Sequence, residues 1–158
     1  MPHAPEEKKK WKKAPTPEEV IDKAIQREDW VSAFSNAVSY FEHWGYWKLS
    51  WYCIEEDIHV ERKIENISVS NLTLILYLLK LIDTNTFSKM QKTIDERNKL
   101  VHPILRGQGV NYKDTKNKDR AVEILEDAKY CIKKLRERIG KHTRENIVGN
   151  LTQQNPSE

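Results

Sequence analysis

Apolar residues recur along the chain at the spacing of α-helices, in segments separated by polar turn residues. The first helix is predicted to begin at Pro17, because Thr16 can cap it and Glu19 can complete a capping box. A longer second helix is predicted after Asp29. Its apolar positions return every three or four residues, at Phe34, Ala37, Val38, Phe41, Trp44, Trp47, Trp51 and Ile54. Gly45 lies within this stripe and is a candidate position for a kink.

The third predicted helix follows a charged, aperiodic stretch at residues 59–66, which is predicted to be a loop or a fraying helix end. The third helix is predicted to run from about Ser68 or Ser70 to Ile82, and nine of the eleven residues from Leu72 to Ile82 are apolar or Tyr. A helix that is apolar on all sides is typical of the centre of a protein, so we expect this one to be central and buried. Residues 83–86 are polar and offer several helix caps.

The fourth helix is predicted to end near His102, because Pro103 pushes its predecessor out of helical geometry. Its predicted inward stripe consists of Phe87, Met90, Ile94, Arg97 and Val101. Residues 103–118 are predicted to be a loop. The fifth helix is predicted over residues 119–139, with an apolar stripe whose alternating spacing of four and three suits near-parallel packing. That stripe consists of Ala121, Leu125, Ala128, Ile132, Leu135 and Ile139.

These segments predict an all-α fold, an antiparallel bundle of about five helices over residues 16–140. The chain has 158 residues, enough for one buried core, and its 5 glycines are too few for a many-turned β-sandwich. Residues 1–15 are predicted to be a disordered basic arm. Residues 141–158 are predicted to be a polar C-terminal tail.

Charge and cysteine content narrow the function classes. The net charge is +3, but acids predominate over residues 18–65 and bases over residues 106–144. This asymmetry indicates either a basic face for a polyanion or complementary halves that pair within one chain or between two copies. Cys53 and Cys131 have no cysteine or histidine at ligand spacing, so we expect buried thiols and no metal site. The apolar run at 72–82 is too short to span a bilayer, and no signal peptide is visible, which predicts a cytoplasmic protein without membrane contact.

The segment Glu96–Pro103 carries the most specific chemistry. Arg97 takes a position in the fourth helix where its stripe requires an apolar residue, and burial of an unpaired guanidinium is unfavourable. It should therefore face a carboxylate, an interface or a cleft that receives an anion. His102 closes the helix, where the dipole favours a protonated imidazole and should raise its pKa. Together the two residues suit phosphodiester chemistry, and Asn98 can donate to the same anion.

The hexapeptide Arg97-Asn98-Lys99-Leu100-Val101-His102 resembles the Arg-polar-x3-His motif of HEPN domains. These are small all-helical bundles found in RNase toxins, in CRISPR and abortive-infection effectors and in other RNA-processing systems. The order of helices is similar too, as is the aromatic-rich segment from Asp29 to Leu49. The resemblance covers roughly residues 17–140, and the hexapeptide is its diagnostic part.

The resemblance implies a metal-independent endoribonuclease with no cofactor, in which two copies of the motif line one composite cleft of a homodimer. Arg97 would bind the scissile phosphate, and His102 would act as general acid or base around attack by the ribose 2′-hydroxyl. Asn98 would support the site, and by charge logic Glu42 would position Arg97. The family also implies a role in defence, toxicity or stress, with RNA as substrate and an antitoxin or effector protein as a further partner.

Several weaker assignments and alternatives accompany this hypothesis. Residues that can contact RNA through their positive charge are Lys99, Arg106, Lys113, Lys133 and Lys134. The main alternative is a non-catalytic HEPN-like module that binds a nucleotide, RNA or partner protein or serves dimerisation. In that case Arg97 would form a buried ion pair with Glu42 or another carboxylate, and His102 would satisfy the last carbonyls of its helix. The aromatic residues at 30–52 suit base stacking, but equally a core or a dimer interface.

Overall fold

The computed structural model describes residues 13–102 and 110–138, and in these ranges it contains α-helices, one 3-10 helix and no strand. The α-helices are α1 (Pro17–Gln26), α2 (Trp30–Glu55), α3 (Val69–Leu78), α4 (Thr84–Val101) and α5 (Thr115–Arg136). The 3-10 helix, Glu61–Asn66, occupies the stretch predicted to be a loop or a fraying helix end. The all-α prediction is confirmed for this part of the chain. None of these helices combines the length and the apolarity that crossing a bilayer requires.

A polar side chain caps each α-helix at its start. The predicted capping box of α1 is present, because the Thr16 hydroxyl accepts from the Glu19 amide at 3.2 Å and the Glu19 carboxylate accepts from the Thr16 amide at 2.8 Å. The other caps are Asp29, Ser68, Asp83 and Asp114. Each such cap stabilises a helix by about 1 kcal/mol. The cap at Asp114 makes α5 begin four residues before the predicted start.

Side-chain pairs fix the direction of α5 relative to its neighbours. Successive residues of α4 meet residues of α5 in reverse order, since Lys89 binds Asp127 and Glu96 binds Arg120. The same reversal relates α5 to α1 through Asp22–Lys129 and Glu18–Arg136. Helix α2 runs in the direction of α5 instead, because its start stacks Trp30 on Tyr112 and its end brings Trp51 to Arg138. Helices α1, α2, α4 and α5 therefore form an up-down-up-down bundle.

The opposite charges of the two halves of the chain pair within the molecule. Four ion pairs join acids of residues 18–65 to bases of residues 106–144: Asp22–Lys129, Glu18–Arg136, Glu28–Lys118 and Glu55–Arg138. The charge asymmetry therefore reflects, at least in these four pairs, complementary halves that pair within one chain. Because Lys118, Lys129 and Arg136 of α5 are engaged in these pairs, fewer of its basic side chains are left to contact a polyanion.

Helix α2 is the centre of the core and contacts all four of the other α-helices. Its fully buried residues include Phe34, Ala37 and Phe41. The predicted stripe of α5 is confirmed from Ala121 to Leu135, since all five of these positions are buried; Ile139 lies outside the described residues. Cys53 and Cys131 are buried free thiols, as predicted, and burial raises the pKa of Cys131 to about 12.

Two predictions about helix faces are wrong. Helix α3 is peripheral rather than central, because Leu74 and Leu78 are 43% and 63% exposed. It also ends at Leu78, four residues early, since Lys80 takes a positive φ of 59° and the Leu81 amide donates to the Leu76 carbonyl at 2.9 Å. In α4, Val101 is 40% exposed. The buried residues of α4 are Thr86, Met90, Thr93, Ile94 and Glu96, so its inward face is rotated from the predicted stripe.

Gly45 permits close contact between α2 and α3. The helix assignment of α2 is continuous through this residue, from Trp30 to Glu55. A Cβ atom at position 45 would lie 2.8 Å from Cδ2 of Leu72 and 3.4 Å from Cδ1 of Leu76, and both leucines are fully buried. The absence of a Cβ atom at position 45 therefore lets the Leu72 side chain approach α2 closely.

Replacement of Gly45 by alanine tests this packing. Alanine in a helix interior is favoured over glycine by about 1 kcal/mol, but overpacking of a filled core costs roughly 1–3 kcal/mol. We expect Gly45→Ala to lower the free energy of unfolding, measured by urea denaturation, and Leu72→Ala to cost less in the Gly45→Ala background than in the wild type. If Gly45→Ala instead raised the free energy of unfolding by about 1 kcal/mol, the space between position 45 and Leu72 would accommodate a methyl group without strain.

Candidate functional site

The last turn of α4 lies at the end of the bundle where α2 and α5 begin. Helix α4 ends at Val101, and His102 follows as its C-terminal cap with φ −124° and ψ 51°. The His102 amide still donates to the carbonyl of Asn98 at 3.0 Å. The predicted end of the helix is thereby confirmed at His102, whereas Pro103 lies outside the described residues. This turn carries Arg97, Asn98 and His102 on a rigid element.

Arg97 combines a position on the buried side of α4 with an unsatisfied guanidinium nitrogen, Nε. It lies four residues after Thr93 and three after Ile94, which are 0% and 1% exposed, so it projects from the buried side of α4. Its Nε is buried and has no hydrogen-bond partner, and no ion pair reaches its side chain from the residues that the structure describes. Buried donors are nearly always paired in native proteins, so this side chain is suited to receive an anion.

The structure does not bring Glu42 to Arg97. No hydrogen bond or ion pair joins the two within the described ranges. Glu42 follows Trp30 by twelve residues on α2, and Trp30 lies at the end of the bundle that holds the last turn of α4. That spacing corresponds to about 18 Å along the helix axis. The Glu42 charge instead acts on Tyr46, whose pKa is raised first by burial and then by this carboxylate.

His102 and Arg97 occupy different sides of the helix end. His102 is exposed, whereas Arg97 and Asn98 are half-buried. Five residues of α-helix separate two positions by about 140° around the axis and about 7.5 Å along it. A single chain therefore presents an inward guanidinium and an outward imidazole at one end of the bundle.

The weaker RNA-binding residues divide between the two ends of α5. Lys113, exposed just before α5, lies near the last turn of α4, and Lys99 is engaged with Glu96 at 3.0 Å. Lys133 and Lys134 lie towards the other end, where Lys134 binds Glu137. Fourteen residues of helix, about 21 Å, separate Lys134 from Arg120. Arg106 lies outside the described residues.

The aromatic residues of α2 form a ladder at the end of the bundle remote from Arg97. Trp44, Trp47 and Trp51 contact one another edge to face, with ring centroids 5.7 and 6.3 Å apart. The guanidinium groups of Arg136 and Arg138 lie over Trp44 and Trp51, at 5.9 and 4.2 Å from the ring centroids. These cation–π contacts attach the end of α5 to α2. The ladder therefore has a structural role in the fold.

Sequence reasoning missed Glu96, a buried carboxylate next to Arg97. Its side chain is 6% exposed, and its Oε1 accepts from Nη2 of Arg120 at 2.7 Å and from Nζ of Lys99 at 3.0 Å. The available signal was the spacing Met90, Thr93, Glu96, which continues the inward face of α4 at intervals of three. The predicted stripe passed through Arg97 and Val101 instead.

Tyr112 lies beside Glu96 and stacks on Trp30, with ring centroids 5.5 Å apart. Its hydroxyl is buried and has no hydrogen-bond partner among the described residues. Burial, followed by the negative charge of Glu96, raises the pKa of Tyr112 to about 12. The stacked rings of Trp30 and Tyr112 thus provide an apolar surface next to the Glu96 ion pairs.

No family model matches the chain, and neither a curated protein nor a solved structure does. Among the described residues, no group of three or more histidine, cysteine or acidic side chains is placed to hold a metal ion. The functional inference therefore depends on the chemistry of the last turn of α4.

The Tyr112→Phe variant tests the environment of this turn. At pH 7 it should be at least as stable as the wild type, because it removes a buried hydroxyl that lacks a partner. In the wild type the folded pKa is about 12 and the ordinary value is 10.0, so the unfolded chain loses this proton first. The contribution of Tyr112 to stability is therefore complete below pH 10 and declines as the pH rises from 10 to 12.

Urea unfolding at pH 7 and at pH 11 measures this effect. The stability advantage of Tyr112→Phe over the wild type should grow at the higher pH. A Tyr112→Phe variant that is less stable than the wild type at pH 7 would show that the hydroxyl has a partner.

Proposed function

We propose that this protein is a metal-independent endoribonuclease of the HEPN type that works as a homodimer. One observation carries the proposal: the half-buried guanidinium of Arg97 has a buried Nε without a partner, five residues before the histidine that closes the same helix. A purely structural arginine in this position would have a carboxylate, and the described residues supply none. The up-down bundle with the motif at the end of α4 supports a HEPN-like arrangement.

The proposed reaction is cleavage of RNA by its own ribose. The 2′-oxygen attacks the adjacent phosphorus, the bond to the 5′-oxygen breaks, and a 2′,3′-cyclic phosphate and a 5′-hydroxyl end result. Arg97 binds the non-bridging oxygens and stabilises the charge that develops on them, with Asn98 as a further donor. His102 removes the proton of the 2′-hydroxyl or supplies one to the leaving oxygen. The protons balance without a metal ion.

The dimer supplies what one chain lacks. In a single chain Arg97 projects inward and His102 outward, so one copy does not hold both groups against the same phosphate. Two copies that meet at this end of the bundle provide two guanidiniums and two imidazoles to one cleft. A toxin, defence or stress role, with an antitoxin or effector protein as partner, fits an RNase of this kind.

Cleavage of total RNA by the purified protein in EDTA tests the activity. We expect products with 2′,3′-cyclic or 3′-phosphate ends, and a loss of at least about hundredfold in rate for Arg97→Ala and for His102→Ala. His59→Ala is a control, because His59 is exposed and lies at the other end of the bundle. Wild-type protein that leaves RNA intact, or cleavage that survives both motif substitutions, would contradict the enzymatic proposal.

The Arg97→Met variant separates catalysis from structure. Methionine fills the space of the apolar stem and removes the unpaired charge, so we expect an equal or higher melting temperature with loss of RNA cleavage. If Arg97 instead belonged to a structural ion pair, its removal would leave a buried charge and cost about 3–5 kcal/mol. A melting temperature lowered by several degrees would therefore favour a non-catalytic binding module.

A further inference from the structure

The last turn of α4 is attached to α5 through one buried carboxylate, Glu96. We infer that Glu96 and Arg120 act as positioning residues, a clamp that holds the Arg97–His102 turn in the geometry needed for cleavage. This inference rests on the proposed function. It concerns residues that do not touch the substrate and act through the backbone of α4.

The geometry of the clamp follows from two contacts to one oxygen. Oε1 of Glu96 accepts from Nη2 of Arg120 at 2.7 Å and from Nζ of Lys99 at 3.0 Å. The Glu96 side chain is buried, whereas that of Arg120 is mostly exposed. Arg120 lies in the second turn of α5, so its guanidinium joins the last turn of α4 to the start of α5. The clamp therefore holds the end of α4 next to the start of α5, between which the chain runs from His102 to Thr115.

Burial makes this pair more influential than an ordinary surface ion pair. Without Arg120 the buried Glu96 carboxylate keeps Lys99 as its one cation among the described residues, and a less compensated charge in the interior favours a shift of the side chain towards solvent. Glu96 directly precedes Arg97 on α4, so a shift of Glu96 that involves the backbone would also displace Arg97. A displacement of 1 Å at a catalytic group can lower a rate by about hundredfold.

The chain provides a matched control on the same helix. Lys118 binds Glu28 at 2.7 Å and so joins the start of α5 to the connection between α1 and α2. Both of these side chains are substantially exposed, and neither belongs to α4. Loss of the Lys118–Glu28 pair removes an ion pair of the same length, and we expect it to leave the Arg97–His102 turn unchanged.

The experiment compares Arg120→Ala, Arg120→Lys and Lys118→Ala with the wild type in the full chain. Two quantities are measured at a temperature where all variants are folded: hydrogen-exchange protection of the His102 amide, and kcat and KM for RNA cleavage. We expect Arg120→Ala to reduce the protection by about tenfold and kcat by about tenfold to hundredfold, with KM changed by less than about twofold. Arg120→Lys should recover part of both, and Lys118→Ala should change neither.

The results separate the clamp from the proposed activity. Unchanged His102 protection in Arg120→Ala, or an equal loss in Lys118→Ala, would overturn the clamp. A fall in kcat that Arg120→Lys does not recover at all, with normal His102 protection, would also overturn it, because Arg120 would then act on the substrate directly. If the wild type fails to cleave RNA, the proposed function is wrong, and the exchange comparison alone still decides whether Glu96 and Arg120 position the turn.

Discussion

The burial of α2 among the other helices is the constraint on which the rest of the structure depends. Its 26 residues contact α1, α3, α4 and α5. Two of its side chains, Phe34 and Phe41, are the largest that the core buries completely. Because α2 is shared by all of these contacts, the directions of α4 and α5 are set by how each packs against it. The last turn of α4 then lies beside the start of α5, and the Arg97 side chain is directed towards the interior.

Much of this arrangement could be predicted from the sequence, because local signals and burial agree for most helices. Thr16 and Asp29 cap α1 and α2 where their side chains predict, and the stripe from Ala121 to Leu135 is buried throughout. The prediction failed for α3, where uniform apolarity did not distinguish a central helix from a peripheral one. Leu74 and Leu78 are apolar but exposed, and only the packing of α2 decides which side of α3 is covered.

The site could be predicted less completely, since its parts come from different helices. The end of α4 at His102 follows from the local effect of Pro103, whereas periodicity placed Arg97 on the inward stripe and missed the more deeply buried Glu96 beside it. The pairing partner of a charged residue does not follow from either. The charge of Glu42 predicts a position near Arg97, yet Glu42 lies about 18 Å along α2 from Trp30, which marks the end of the bundle that holds Arg97. Glu96 pairs with Arg120 across 24 positions of sequence, and no local pattern encodes that contact.

The unpaired guanidinium of Arg97 has a consequence for the energetics of the whole fold. The Arg97 Nε is a buried donor without a partner among the described residues, which lowers stability, and on the proposed function a bound anion would supply the missing contact. A ligand that binds the native state alone raises stability by RT ln(1 + [L]/Kd), about 2.7 kcal/mol at a hundredfold excess over Kd. If the proposed anion site is correct, the occupied protein would be the more stable form, and resistance to heat or proteolysis would measure site occupancy independently of cleavage.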